Sequence, residues 1–192
     1  HHVTFVRDYT SSTGTVYVDG ISIGSASFTS NELIAAQDMF VGYGSLDGYA
    51  GNLAASGESL YFDDIRAYDR VLTQAEITHL ASRRGITGSP FGKGLGGESL
   101  WICPTITNTQ ADISGHNFTA TLNGGMSIVN DTNNGGSKCF EFDGSNDYIS
   151  TDMQGEMDFV QRTGVWSMSA WVKFDDGSSS ASFGVIATEV GA

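Results

Sequence analysis

An all-β sandwich with a single short helix is the fold class this sequence predicts, and three observations carry the prediction. There are 25 glycines against 2 prolines, a ratio that suits many tight turns. Short runs of Val, Ile, Tyr and Phe alternate with Gly, Ser, Asn and Asp clusters at intervals of about 8–12 residues, the spacing of strands in a sandwich. Finally, 192 residues at 40% hydrophobic content suffice for one good core or two small ones, and they place the chain in the globular class.

The elements follow in chain order. His1 and His2 read either as the end of a purification tag or as the start of a strand. The alternation in His2-Val3-Thr4-Phe5-Val6-Arg7 favours the strand. Ser11-Ser12-Thr13-Gly14 turns the chain into Thr15-Val16-Tyr17-Val18, and Asp19-Gly20 is a two-residue hairpin signal before Ile21-Ser22-Ile23. Met39-Phe40-Val41 is a further short strand, and residues 42–57, rich in Gly, Ala and Ser, read as a long turn or exposed loop.

The next stretch organises the chain. In Tyr61-Phe62-Asp63-Asp64-Ile65-Arg66-Ala67-Tyr68 apolar and polar residues alternate as in a strand with one buried face. After Thr73 the spacing becomes helical. Thr73 and Glu76 stand three apart, as a capping box requires, with Ile77, Leu80 and Ala81 as the apolar stripe and Gly85 placed to end the helix. Residues 83–98 hold six glycines and a proline with little apolar periodicity, which marks a flexible connection. Beyond it, Leu100-Trp101-Ile102, Ala120-Thr121-Leu122, Phe140-Glu141-Phe142, Tyr148-Ile149 and residues 166–173 read as strands. Trp166 and Trp171, five apart on an alternating strand, face opposite sides, so at least one belongs to the core.

Charge and composition exclude some functions. Nine basic against 22 acidic residues give a formal charge of −13, which repels a phosphate backbone, so no nucleic-acid partner is expected. Carboxylates in Gly- and Asn-rich turns suit a hard cation such as calcium. The plainer alternative is that the charge only maintains solubility. No window reaches the ~18 apolar residues of a membrane span. Cys103 and Cys139 each sit in an apolar run. Were their strands neighbours, the thiols would be placed to pair in an oxidising compartment; two buried free thiols are the other reading.

The succession His2-Val3-x-Phe5-Val6-Arg7-Asp8, Gly14-Thr15-Val16-Tyr17-Val18-Asp19-Gly20 and Phe62-Asp63-Asp64-Ile65-Arg66-x-Tyr68-x-Arg70-Val71-Leu72-Thr73-x-x-Glu76-Ile77 resembles the C-terminal half of a laminin-G-like jelly-roll in the concanavalin A-like lectin/glucanase superfamily. Asp112-Ile113-Ser114-Gly115, Phe140-Glu141-Phe142-Asp143-Gly144-Ser145-Asn146-Asp147-Tyr148-Ile149 and Trp166-Ser167-Met168-Ser169-Ala170-Trp171-Val172-Lys173 resemble the N-terminal half. The organisation expected is therefore residues 1–86 as a C-terminal half, 87–98 as a Gly-rich linker, and 99–192 as an N-terminal half. Either the chain straddles two tandem domains, the favoured arrangement, with missing strands supplied from elsewhere, or the halves reassemble as one permuted sandwich.

The resemblance implies an antiparallel jelly-roll without catalytic activity. Such a module serves in glycan binding, adhesion or assembly within a larger extracellular or virion-surface protein, among them phage tail, fibre or capsid-decoration proteins. Its expected partners are a glycan or cell-surface polysaccharide and further copies of itself. It also implies a structural calcium ion held by Asp143, Asn146 and Asp147 with Asp63 or Asp64. Tyr43, Tyr49 and Trp101 are candidate stacking faces for sugar rings.

Some relatives are endoglucanases with Glu-x-Asp-x-x-Glu on the catalytic strand. Here Glu156-Met157-Asp158-Phe159-Val160-Gln161 lacks the second acid that retaining hydrolysis requires. Asn117-Phe118-Thr119 and Asn130-Asp131-Thr132 match the glycosylation acceptor pattern, which matters only in a eukaryotic secretory setting. Four histidines, two of them terminal, offer no zinc spacing.

Overall fold

A computed structural model describes residues 1–28, 39–41, 45–46, 49–50, 59–82, 94–104, 112–131, 137–143, 146–153, 156, 159, 163–174 and 186–188. The strands run in the order β1 (His2–Asp8), β2 (Thr13–Val18), β3 (Ile21–Ser27), β4 (Met39–Val41), β5 (Ser45–Leu46), β6 (Tyr49–Ala50) and β7 (Leu60–Tyr68). The helix α1 (Gln74–Ala81) comes next, followed by β8 (Glu98–Ile102), β9 (Ala120–Asn123), β10 (Ser127–Asp131), β11 (Ser137–Phe142), β12 (Tyr148–Thr151), β13 (Trp166–Phe174) and β14 (Ile186–Thr188).

The predicted turns form for the predicted reasons. Asp19 and Gly20 both take positive φ, 50° and 82°, the pair of left-handed residues that a two-residue hairpin needs. Thr73 caps α1: its hydroxyl accepts from the Glu76 amide at 3.3 Å while the Glu76 carboxylate takes the Thr73 amide at 2.8 Å. The helix stops at Ser82, whose φ of −80° is right-handed, so no left-handed glycine cap is used at this position and Gly85 lies outside the described residues. Tyr43 also lies outside them.

Among the described residues all strand pairs are antiparallel. One sheet has the order β10-β11-β7-β13-β1-β2-β3, with β8 also on β7; a second has the order β14-β4-β12-β9; β5 and β6 form a small hairpin. Phe62, Ile65, Phe140 and Met168 of the large sheet meet Val41, Ala120 and Ile149 of the second in one buried cluster, the core of a two-layer sandwich. On the outer face of the large sheet, Val6 and Tyr68 meet Leu72, Ile77 and Leu80, so α1 closes a second, smaller core.

The favoured tandem arrangement is not the one adopted. Strand β13, from the second half of the chain, lies between β7 and β1 of the first half, and β11 and β8 line the opposite side of β7. A central strand pairs on both edges, and β13 satisfies the facing edges of β1 and β7 within the same chain. The halves therefore share one sheet. Glu98, expected at the end of the linker, is the first residue of β8.

Two polar ties reinforce this union. The Ser167 hydroxyl on β13 donates to the Arg70 carbonyl at 2.8 Å and accepts from the Leu72 amide at 3.0 Å. Arg66 on β7 is 2% exposed. Its guanidinium makes a two-pronged pair with Asp64, both bonds at 2.9 Å, and reaches Glu98 of β8 at 3.4 Å. It lies over the Trp101 ring at 3.9 Å. Removing one partner from such a buried group leaves uncompensated charge. Arg66→Ala is accordingly expected to cost about 3–5 kcal/mol, read as a lowered urea midpoint with the slope of the transition unchanged.

Candidate functional site

The Asp63-Asp64 pair sits where the regular pairing of β7 breaks. Its register against β13 shifts between Ser169 and Trp171, and Asp64 takes a φ of 53°, so one extra residue is inserted as a bulge. The insertion resets the alternation: Leu60 and Phe62 before it and Ile65 and Ala67 after it all face the core. Asp64 turns outward beside Arg66, and its Oδ1 also accepts from the Trp101 indole at 2.6 Å.

Trp101 is thereby spoken for. It is 6% exposed, its N–H is bonded to Asp64 and its face is covered by Arg66, so it offers no stacking surface to a sugar. Tyr49 falls on β6, and its side chain is outside the described residues.

Asp63 occupies a different environment. Its Oδ1 accepts the Asp64 amide at 2.7 Å, and it borders a recess of about 30 Å³ with Asp131, Cys139, Trp171 and Lys173. That volume matches a single water rather than a sugar. Burial, and then the neighbouring Asp64 charge, push its carboxyl up to about 7. Nearby on the same face, His2 is 1% exposed, packs edge-on against Trp171 at 5.2 Å, and is held down to about 4, chiefly by burial.

The expected calcium set is not assembled as one group. Phe142 pairs with Leu60, so Asp143 lies level with position 59, just before β7, while Asp63 is four residues further along, roughly 13 Å away at strand rise. Asp64 is committed to Arg66. Among the described residues no three or more His, Cys, Asp or Glu side chains converge on a metal position. The turn holding Asp143, Asn146 and Asp147 retains one telling feature: Asp147 is 4% exposed and its Oδ1 has no hydrogen-bond partner, while its Oδ2 takes the Asp143 amide at 2.8 Å. Burial raises its pKa. The β9–β10 turn presses on this group at Gly124, φ 83°, where a Cβ would collide with the Asn146 carbonyl and with Asp147 Oδ1.

The cysteines are not joined. Both are free and buried, which corrects the expectation of a Cys103–Cys139 disulfide. The cause is local. The thiol of Cys103 is directed at Asp64 Oδ1, 3.6 Å away, and that of Cys139 at the Val129 carbonyl, 3.8 Å away. Burial raises the pKa of both thiols, that of Cys139 to about 11. Glu156, the first acid of the glucanase-like run, is exposed and outside the strands.

A cleft that the sequence reading missed opens on the core-facing side of β1, β2 and β3. It measures about 610 Å³ and is lined by Phe5, Arg7, Val16, Phe28 and Trp166, with Ser25 and Ser27 on its β3 wall. Phe5 and Trp166 pack at 5.1 Å, and the Arg7 guanidinium lies over Phe28 at 4.3 Å. Its signal was present in the alternation of Phe5 with Arg7 and of Gly14 with Val16, which register places side by side.

Residues 1–78 match the family model described as the concanavalin A-like lectin/glucanases superfamily. This segment is similar to that superfamily. The match covers β1 to β7 and the first turn of α1, and the remaining strands complete the two sheets of the sandwich from the second half of the chain. No curated protein and no solved structure matches the sequence.

The two displaced titrations have opposite consequences for stability. Asp63, raised from 3.8 to about 7, contributes stability that is complete below pH 4 and disappears as pH rises to 7. His2, lowered from 6.5 to about 4, contributes stability that is complete above pH 6.5 and disappears as pH falls to 4. The advantage of Asp63→Asn over wild type should therefore grow between pH 4 and 7, and that of His2→Gln should shrink over the same interval. Each change is read as a shift in Tm, at about 2–4 °C per kcal/mol. Parallel melting curves across that pH range check the crossing.

Proposed function

We propose that this concanavalin A-like chain is a non-catalytic carbohydrate-recognition module, acting in adhesion or attachment as part of a larger protein outside the cell or on a virion. The observation that supports the reading best is the cleft on β1, β2 and β3. Rings of Phe5, Phe28 and Trp166, a guanidinium and serine hydroxyls line one open volume of about 610 Å³. A sugar ring has apolar C–H faces and a rim of hydroxyls, so it suits aromatic walls with a few polar groups at the edge. The described lining contains no carboxylate, whereas glycoside hydrolysis by the common route uses two. The reading is therefore one of binding without cleavage.

A cation belongs to the same proposal, at a narrower site than the sequence suggested. Asp147 Oδ1 and the Asn146 carbonyl are two oxygen acceptors crowded against Gly124, and Asp147 Oδ1 has no donor. Calcium takes oxygen ligands of this kind and completes its shell with water. Held there, it would fasten the β9–β10 turn to the turn before β12 and support the sandwich from outside the cleft.

Two measurements test these readings. On a glycan array the wild-type chain should retain a defined sugar class, and Arg7→Gln should weaken calorimetric affinity by roughly tenfold, the scale of 1.4 kcal/mol; silence across the array would count against recognition. Calcium at a hundredfold excess over its Kd should stabilise the wild type by about 2.7 kcal/mol, reversed by a chelator, and Asp147→Asn should not respond. A wild type indifferent to calcium would remove the ion from the account.

A further inference from the structure

The cleft on β1, β2 and β3 carries its charge in one place. Among its described lining residues Arg7 is the only charged side chain, in a chain with nine basic and 22 acidic residues. No Asp, Glu, Asn, Gln or His is among them, so serine hydroxyls are the only side-chain acceptors that this lining offers. The hydroxyls of a neutral sugar donate as readily as they accept. A lining weighted toward donors suits a ligand group that only accepts, and an ionised carboxylate is such a group.

Register explains how the guanidinium comes to overlook an open floor. Arg7 pairs with Trp166 of β13 on one side and with Gly14 of β2 on the other, and Gly14 pairs with Ala26 of β3. Cross-strand partners share a face, so beyond Arg7 the row continues as a glycine and then a single methyl group. The neighbouring row runs Phe5, Val16 and Gly24, and a Cβ at Gly24 would meet nothing within 4 Å. Bulk is confined to the β1 and β13 side, where Phe5 and Trp166 pack at 5.1 Å. The Arg7 guanidinium lies over the Phe28 ring at 4.3 Å. Stacking engages the face of the group, whereas its N–H donors lie in the plane as a fork that matches both oxygens of a carboxylate.

We propose that the sugar held in this cleft bears a single carboxylate, paired with Arg7, on a ring laid across Gly14, Gly24 and Ala26. This rests on the reading of the cleft as a carbohydrate site. A uronic acid and a sialic acid both supply that chemistry. The charge of the whole chain narrows the class further. A formal −13 repels a polymer with an anion on every unit, whereas one carboxylate among neutral sugars needs only the local pair with Arg7.

Calorimetric titration of the full chain tests the assignment first without any variant. The ligands are the methyl glycosides of glucuronic, galacturonic and N-acetylneuraminic acid, each beside its neutral carboxamide, and a heparin oligosaccharide. At least one acid should bind, tighter than its amide by about tenfold or more, the scale of hydrogen bonds to a charged group. Heparin should bind no tighter than that acid. Which acid binds separates the uronic from the sialic source. Arg7→Gln should bring that acid and its amide to within about twofold of each other, because the fork and its charge are gone. Ala26→Asp, at an exposed position on the Arg7 row, should narrow the same gap by setting a fixed carboxylate against that of the ligand. Neutral sugars that bind as tightly as their acids would overturn the assignment and leave carbohydrate recognition standing. So would heparin as the tightest ligand, or an Arg7→Gln or Ala26→Asp chain that keeps the wild-type gap. Silence toward every acid and every neutral sugar would overturn the recognition reading and this inference with it.

Discussion

The interleaving of β7, β13 and β1 is the constraint on which the rest depends. A nine-residue strand from late in the chain is inserted between two strands from early in it, so neither half has a closed backbone ladder without the other. Arg66 secures the arrangement on the outer face. Its charge is enclosed by Asp64 of its own strand, Glu98 of β8 and the ring of Trp101. A guanidinium buried to this degree is tolerated only where several acceptors converge on it. Those acceptors come from both halves, so the charge network is satisfied only when the halves are joined.

The bulge at Asp64 links this network to the core. Without the bulge that absorbs the extra residue, the alternation of β7 would carry Ile65 to the wrong face, and the strand could not serve the main core at both ends. The left-handed backbone at Asp64 is one that few non-glycine residues adopt. The two aspartates therefore do different work. Asp64 is a structural anion paired with Arg66, and Asp63 is a carboxyl in a tight recess whose ionisation is opposed by that neighbour. Asp64 is held by Arg66 and the Trp101 indole, and Asp63 lies apart from the turn of Asp143 and Asp147.

The local features were the legible ones. The hairpin at Asp19-Gly20 and the cap at Thr73 and Glu76 follow from side chains and backbone acting within a few residues of themselves. The candidate site was less legible. Trp101 has the composition of a sugar platform, but its surroundings are set by Arg66, 35 positions earlier in the sequence. The cleft was missed because its walls come from β1, β2, β3 and β13, and no single window contains them. Cys103 and Cys139 share a neighbourhood around β7, yet each thiol is turned toward a different acceptor, a matter of side-chain direction that spacing does not report.

By itself the sequence determined the class of fold, the positions of β1 to β4, β7 to β9 and β11 to β13, the capped helix α1 and the superfamily resemblance of the first 78 residues, because period-two alternation and turn chemistry are short-range properties of the chain; β5 and β6, in a stretch read as a loop, and β10 and β14 were not placed by it. Tertiary structure alone decided that both halves build one sandwich, that the acids separate into an ion pair, a recess and a turn, and that an aromatic cleft opens on β1, β2 and β3. Those outcomes depend on which distant strands become neighbours and in what register. That choice is made by burial and by the pairing of backbone groups across the whole sheet, which no local stretch of residues encodes.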